Sequence, residues 1–194
     1  KLAARNTDGL LGAVVEVFRD HGIEMMDSTA LIAPLLAQSG QLSRRALSTD
    51  ERQDVEWGYR FADAIAGLDI GQTIAVKGRA VVAVEAMEGT DEVIRRAGSL
   101  AGHGFAVVKV AKPQQDMRFD VPVVGLATVA AMQAAGATAL SVDAGRTLLV
   151  DGPAVLAAAD TAGLAVWGRA VRAVEPGRPE GSSLTEGAPG ARRP

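Results

Sequence analysis

Between Ser48 and Trp167 the apolar residues switch back and forth between helical spacing and short β-branched runs, with glycine-containing turns at most of the switches. A chain with this alternation stacks helices on strands, which predicts an α/β domain over residues 44–172. Ser48 stands three residues before Glu51, the spacing of a capping box, and opens a long amphipathic helix through Val55, Tyr59, Ala62 and Ile65. Strands are expected over 73–77 and 80–84, as a hairpin around Gly78-Arg79, and over 105–110. Between them Gly89-Thr90-Asp91 opens a short helix ending near Gly98. Pro122 makes 121–124 an edge strand. A helix over 126–135, strands over 139–142 and 147–150, a helix over 153–162 and a last strand over 164–167 follow, with Pro153 in a first turn, where its missing N–H costs little.

Ahead of this domain the pattern reads as an αβα fragment. Asn6 or Thr7 caps a helix through Phe18, Ile23 to Met26 forms a short strand, and Ser28 or Thr29 opens a second apolar helix reaching Leu36. Residues 38–46, rich in Gly, Ser and Arg, read as a linker. Residues 173–194 lack apolar side chains able to support folding and are expected to be a disordered tail. Hydrophobic residues make up 48% of the chain but aromatics only 4%, so the core must be aliphatic. Trp57 and Trp167 read as packing residues.

Several function classes lose their parts. Cysteine is absent, which removes disulfides, thiolate zinc sites and a thiol nucleophile. His21 and His103 are the only histidines, and neither sits in an HExxH context; His21 reads as a helix-end or surface residue and His103 as a turn residue. Neither a P-loop, nor a G-x-S-x-G elbow, nor a complete G-x-G-x-x-G is present. A net charge of −3 argues against a nucleic-acid binder. With no apolar run near the membrane-spanning length of about 18 residues and no signal-peptide pattern, a soluble protein that can still touch a membrane surface is expected, and the lack of cysteine is compatible with the cytosol.

Two polar clusters remain, each following a strand. The first is Glu85 to Asp91, where Gly89 and Thr90 at a helix start offer unpaired N–H groups to an anion, although Thr90 or Asp91 reads equally well as a simple cap. The second runs from Lys109 to Gly125 and concentrates Lys109, Lys112, Asp116, Arg118 and Asp120. Lysine and arginine hold phosphate oxygens and aspartate is a hard ligand for Mg²⁺, so the mixture suits metal-assisted phosphate chemistry as well as a solvated loop. If the segment is extended, Asp116, Arg118 and Asp120 share one face and Met117 and Phe119 the other. Ligands of open α/β sheets sit at the carboxyl ends of strands, where both clusters could converge.

The string V-A-V-E-A-M-E-G-T-D-E-V-I-R-R-A-G, then V-K-V-A-K-P-Q-Q-D-M-R-F-D-V-P-V-V-G and Thr128, resembles the LpxI family of UDP-2,3-diacylglucosamine pyrophosphatases. The likeness continues through Gly145 to Leu149 and Gly163-Leu164, and reaches back to Asp8-Gly9-Leu10-Leu11. It implies that residues 1–43 are the C-terminal remnant of a Rossmann-like N-terminal domain, that 44–172 form a C-terminal mixed α/β catalytic domain, and that the substrate lies between the two. It also implies Mg²⁺-dependent hydrolysis of UDP-2,3-diacylglucosamine to UMP and 2,3-diacylglucosamine 1-phosphate, in lipid A synthesis, with peripheral contact at the inner membrane; a homodimer stays open. On this reading Asp116 and Asp120 are catalytic and hold Mg²⁺ with Glu88 or Asp91, while Lys109, Lys112, Arg118, Gly89 and Thr90 bind phosphate. Met87, Met117, Phe119 and the helix from Val129 to Met132 are candidates for an acyl groove, though such side chains equally form core. The alternative function is a non-catalytic nucleotide-sugar or lipid-binding module.

Overall fold

The computed structural model describes residues 7–113, 116, 117 and 120–171, with side chains from residue 12 onward. In chain order the helices are α1 (Thr7–Asp20), α2 (Thr49–Gly67), α3 (Thr90–Ala101), α4 (Leu126–Ala135) and α5 (Gly152–Thr161). The strands are β1 (Gly40–Gln41), β2 (Thr73–Lys77), β3 (Ala80–Val84), β4 (Phe105–Lys109), β5 (Val123–Val124), β6 (Ala137–Asp143), β7 (Leu148–Leu149) and β8 (Ala165–Arg169). A six-stranded sheet runs in the order β1-β8-β6-β4-β2-β3, and β5 pairs with β7 in a separate small sheet. The central strands β4, β6 and β8 are parallel, while β2 is antiparallel to both β3 and β4, and β1 is antiparallel to β8. The expected mixed α/β architecture is therefore present.

Side-chain alternation divides the core between the two faces of the sheet. On β4, Phe105 and Val107 pack beneath α3, α4 and α5 with Ile94, Met132 and Val155, whereas Ala106 and Val108 pack against α2 with Val55 and Ala62. Almost every one of these residues is aliphatic, so large buried area comes from many small side chains rather than from a few rings. Trp57 and Trp167 flank the α2 layer: Trp57 sits 5.6 Å from the Phe61 ring, and the Arg52 guanidinium lies 4.6 Å above Trp167.

Local signals explain several boundaries. The Ser48 hydroxyl accepts from Glu51 N at 3.2 Å and the Glu51 carboxylate accepts from Ser48 N at 2.8 Å, so the capping box fixes the start of α2. Burial opposes ionisation of Glu51, but Arg45 and the Ser48 amide prevail and hold its carboxyl down to about 2. At the β2–β3 turn Gly78 and Arg79 both have φ of 59°, and the buried Asp54 carboxylate of α2 accepts from both amides. This ties the hairpin to the helix beneath it.

The segment before α2 departs from expectation. Residues 23–26 form no strand, and 28–36 form turns and a 3-10 turn at Ala33–Leu35 instead of an α-helix. Pro34 accounts for the second difference, because it has no N–H for the Ala30 carbonyl and its ring would clash there, so an α-helix begun at Ser28 breaks while a short 3-10 turn starting at Ala33 is allowed. The presumed linker is part of the sheet: β1 lies within it, Ser43 Oγ accepts from Val166 N at 2.7 Å, and Arg45 donates to the Gly163 carbonyl at 2.6 Å. The expected tail lies outside the described residues.

The α3–α4 contact is unusually close at Gly98, where an added Cβ would fall 2.6 Å from the Ala135 carbonyl oxygen. Ala in place of Gly within a helix gains about 1 kcal/mol of propensity, but overpacking against backbone costs about 1–3 kcal/mol. Gly98→Ala is therefore expected to lower stability by up to about 2 kcal/mol in denaturant unfolding. A stabilised variant would show that α3 and α4 can separate without penalty.

Candidate functional site

The three parallel strands all end at one edge of the sheet, and each ends on a charged side chain: Lys109 on β4, Asp143 on β6 and Arg169 on β8. Because β3 runs parallel to β4 across the intervening antiparallel β2, Glu85 following β3 reaches the same edge, as does Thr73 at the start of β2. Sheet alternation then assigns these groups to opposite faces.

On the α3 face, Lys109 Nζ donates to Thr90 Oγ1 at 2.7 Å and stands 3.5 Å from Thr73 Oγ1. The Thr90 hydroxyl donates to Glu85 Oε1 at 3.0 Å, and Glu85 Oε2 accepts from Gln72 N at 3.2 Å. Lys109 is only 4% exposed. Burial pushes its ammonium pKa down, while the charges of Glu85, Asp91 and Asp120 pull it back up. The two sequence clusters thus meet in direct contact through Thr90 and Lys109.

Thr90 is not a cap. The N-cap of α3 is Gly89, in the left-handed region at φ 85°, and no side chain bonds the first amides of the helix. Those amides face an open depression of about 450 Å³ lined by Glu88, Gly89, Thr90, Asp91, Glu92 and Arg95. The helix dipole and free N–H groups make this position suitable for an anion. The α4 start at Gly125 likewise lacks a side-chain cap bond.

On the α2 face, the buried Asp143 accepts from Ala111 N at 2.8 Å and from Arg169 Nε at 2.6 Å. Arg169 then forks onto Asp63 with two contacts of 2.8 Å and lies 4.4 Å over the Tyr59 ring. Burial works against the Arg169 cation, but Asp63 and Asp143 raise its pKa further. Burial pushes the Tyr59 phenol up to about 12, despite its 2.6 Å hydrogen bond with Ser141.

The second cluster leaves the sheet after Lys109. Lys112 pairs with Asp69 at 2.5 Å, and its carbonyl accepts from Arg146 at 2.8 Å. Asp116 and Asp120 are not on an extended strand: Asp120 N donates to the Asp116 carbonyl at 3.1 Å, so they stand one helical turn apart. The extended alternation is corrected here, because an extended run from 116 to 120 would hold the Asp120 amide far from the Asp116 carbonyl. Arg118 and Phe119 lie outside the described residues. Asp27 and Ser28 border this turn; Ser28 donates to the Met117 carbonyl at 2.5 Å, and Thr29 lowers the Asp27 pKa against a smaller opposing effect of Asp116.

Other candidates make different contacts. Glu88 is turned onto the Ala86 amide at 2.9 Å and Arg96 at 2.6 Å, and these contacts with its own backbone amide lower its pKa. Val129 and Met132 belong to the core, whereas Met87 is exposed. His21 bonds the Val17 carbonyl at the end of α1, and His103 occupies the bend before β4. Among the described residues no three acidic or imidazole side chains gather into a metal cage. Mg²⁺ does not need one, since it keeps several waters and binds through one or two carboxylates plus substrate phosphates. Asp116 and Asp120, one turn apart near a lysine-rich edge, fit that sparse pattern.

Glu85, Asp143, Arg169 and Asp63 were not singled out as site residues from sequence. The available signal was a charge at the end of an apolar run, present at Glu85, Lys109, Asp143 and Arg169 alike.

The buried Lys109 can be tested by titration. Its pKa in the folded state lies below the ordinary lysine value of 10.5, so the unfolded chain keeps its proton to higher pH. Wild-type stability should rise as pH climbs from the lowered pKa towards 10.5, and Lys109→Met should abolish that rise. Thermal unfolding of both proteins at neutral pH and at about pH 10 checks this; parallel curves would contradict the buried cation.

Comparison with known proteins adds two findings. The family model described as the LpxI C-terminal domain matches residues 38–167. A protein of Caulobacter vibrioides named UDP-2,3-diacylglucosamine pyrophosphatase LpxI is 36% identical over 174 residues, covering 86% of this chain and 62% of that relative. The chain thus spans less than two thirds of the length of that relative.

Proposed function

The chain belongs to the LpxI family through its C-terminal domain, and from that premise we propose that it forms the catalytic part of an Mg²⁺-dependent hydrolase that splits the diphosphate of UDP-2,3-diacylglucosamine. The products would be UMP and 2,3-diacylglucosamine 1-phosphate, the step lying in lipid A synthesis. The observation that carries this reading is the meeting of Lys109, Thr90 and Glu85 behind the uncapped start of α3, with the Asp116–Asp120 turn leaving the same strand end.

A diphosphate brings concentrated negative charge, and its hydrolysis requires that charge to be neutralised while water is aligned with one phosphorus. The first amides of α3 and the Thr90 hydroxyl would take phosphate oxygens. Lys109 lies behind them, nearly buried, so its charge acts through a low-dielectric edge and through Thr90 more than as an open surface cation. Lys112, paired with Asp69, and Arg118 would complete the positive side. Asp116 and Asp120 would orient the attacking water and hold Mg²⁺, which when bound supplies charge neutralisation on the phosphate oxygens. Glu88, paired with Arg96, and Asp91 line the same depression and are the further acidic candidates.

No helix among the described residues is long and apolar enough to cross a membrane. A diacylated substrate would be met at the cytoplasmic face of the inner membrane, by peripheral contact.

The full-length protein incubated with UDP-2,3-diacylglucosamine and Mg²⁺ should release UMP, and chelation of the metal should stop it. Asp120→Ala should lower kcat by about 10²–10⁴-fold with much less effect on substrate binding. Binding without any UMP release by the wild-type protein would favour a non-catalytic nucleotide-sugar or lipid-binding module instead.

A further inference from the structure

The Asp143–Arg169 network occupies the opposite face of the sheet from the proposed anion site, yet it touches the backbone on which that site depends. The register of β4 with β6 ends at Lys109 opposite Val142. Val110 N still finds a carbonyl, that of Gln72 at 2.9 Å, but for Ala111 the neighbouring strand offers a carboxylate instead: Asp143 Oδ2, at 2.8 Å. One residue later the Lys112 carbonyl accepts from Arg146 at 2.8 Å, and Arg146 N in turn donates to the Asp143 carbonyl at 3.3 Å. The second and third residues beyond the strand are therefore held by hydrogen bonds, Ala111 through its amide to Asp143 and Lys112 through its carbonyl to Arg146.

The remainder of the network serves to aim Asp143. Its second oxygen accepts from Arg169 Nε, whose other nitrogens fork onto Asp63 of α2 and whose plane lies over Tyr59. Asp143 is 1% exposed, so its carboxylate has almost no access to water. A buried ion pair is weak support for stability, because apolar residues of similar volume often hold a core equally well. What apolar residues cannot do is fix one amide in direction, which a carboxylate locked by a planar fork does. We propose that Asp143 and Arg169 are positioning residues, a clamp that fixes the start of the segment carrying Lys112, Asp116 and Asp120. The assignment rests on the functional reading given above.

In the full-length protein, Asp143→Ala should speed NMR-detected exchange of the Ala111 amide by about 10- to 100-fold, as loss of a charge-assisted hydrogen bond implies, while Val107 and Val108 within β4 stay protected. The same variant should lose about 10²-fold in kcat with KM little changed, because the anion-holding start of α3 is untouched and only the alignment of the segment is lost. Arg169→Lys, which keeps the charge but loses the fork, should fall between the two proteins in both measurements. If Asp143→Ala does not fold, Asp143→Asn tests the aim instead: its oxygen can still accept from Ala111 while its NH2 meets Arg169, so Ala111 exchange and kcat should change in the same directions but by less, as for Arg169→Lys. Unchanged kcat with a loosened Ala111, or unchanged Ala111 exchange, would overturn the proposal. So would a uniform rise in exchange through β4, β6 and β8 with a matching fall in kcat, the sign of a merely structural role. If the wild-type protein releases no UMP, the functional reading fails, and with it the catalytic role of the clamp; selective loosening at Ala111 would then show that the geometry was right and the reaction wrong.

Discussion

Parallel pairing of β4, β6 and β8 is the constraint from which the rest of the structure follows. Parallel neighbours cannot be joined by a tight turn, so each pair needs a crossover, and α4 and α5 supply it on one face. A helix that feeds the next strand at its amino end must begin near the opposite, carboxyl edge. The α3 helix, returning from β3 to β4, obeys the same geometry. Chemistry accordingly collects on one edge, where strand ends bring charged side chains and helix starts bring unpaired amides. The antiparallel β1, β2 and β3 close the flanks of this unit without adding a second such edge.

The pleat of β4 separates two uses of charge on that edge. Val108 and Val110 turn into the α2 layer, and Lys109 between them turns towards α3. Beyond Val110 the backbone amide of Ala111 is taken by Asp143 from the α2 side. Within three consecutive residues the chain contributes a buried cation to one face and is gripped from the other. Desolvation opposes both buried groups, and each is offset by directed bonds: Thr90 and the charge of Glu85 for Lys109, Ala111 and Arg169 for Asp143.

The elements within the sheet were legible because burial there is two-sided and aliphatic. Runs such as Thr73–Lys77 and Ala80–Val84 carry their own limits, marked by Gly71 before and by Gly78-Arg79 between, and Ser48 with Glu51 marks a helix start by chemistry that needs no tertiary context. The contact of Thr90 with Lys109 was legible in outline, since both clusters follow strands. Less legible was anything decided by distant partners. Gly40-Gln41 looks like linker until β8 offers it an edge, and the apolar residues from Ile23 to Leu36 resemble elements that Pro34 and the lack of a pairing strand prevent. The Asp63–Arg169 fork joins residues far apart in sequence, and nothing local in either marks the other. Glu88 pairs with Arg96, eight residues on in α3, a contact that nothing local in the sequence marks.

The arrangement divides labour between rigid and irregular backbone. The groups suited to hold an anion, Thr90 and the first amides of α3, belong to elements packed on the core through Val93, Ile94 and Ala97. The aspartates suited to act on a bound diphosphate lie outside the sheet, beyond Ala111 and Lys112, where Asp143 and Arg146 bind the backbone, and Ser28 touches Met117. A core-packed helix changes position only at the expense of its packing, whereas backbone outside the sheet is held by directed bonds that single substitutions can change. On the proposed function, affinity for the anion and alignment of the acids would therefore answer to different residues, and the second would depend on side chains that never touch the ligand.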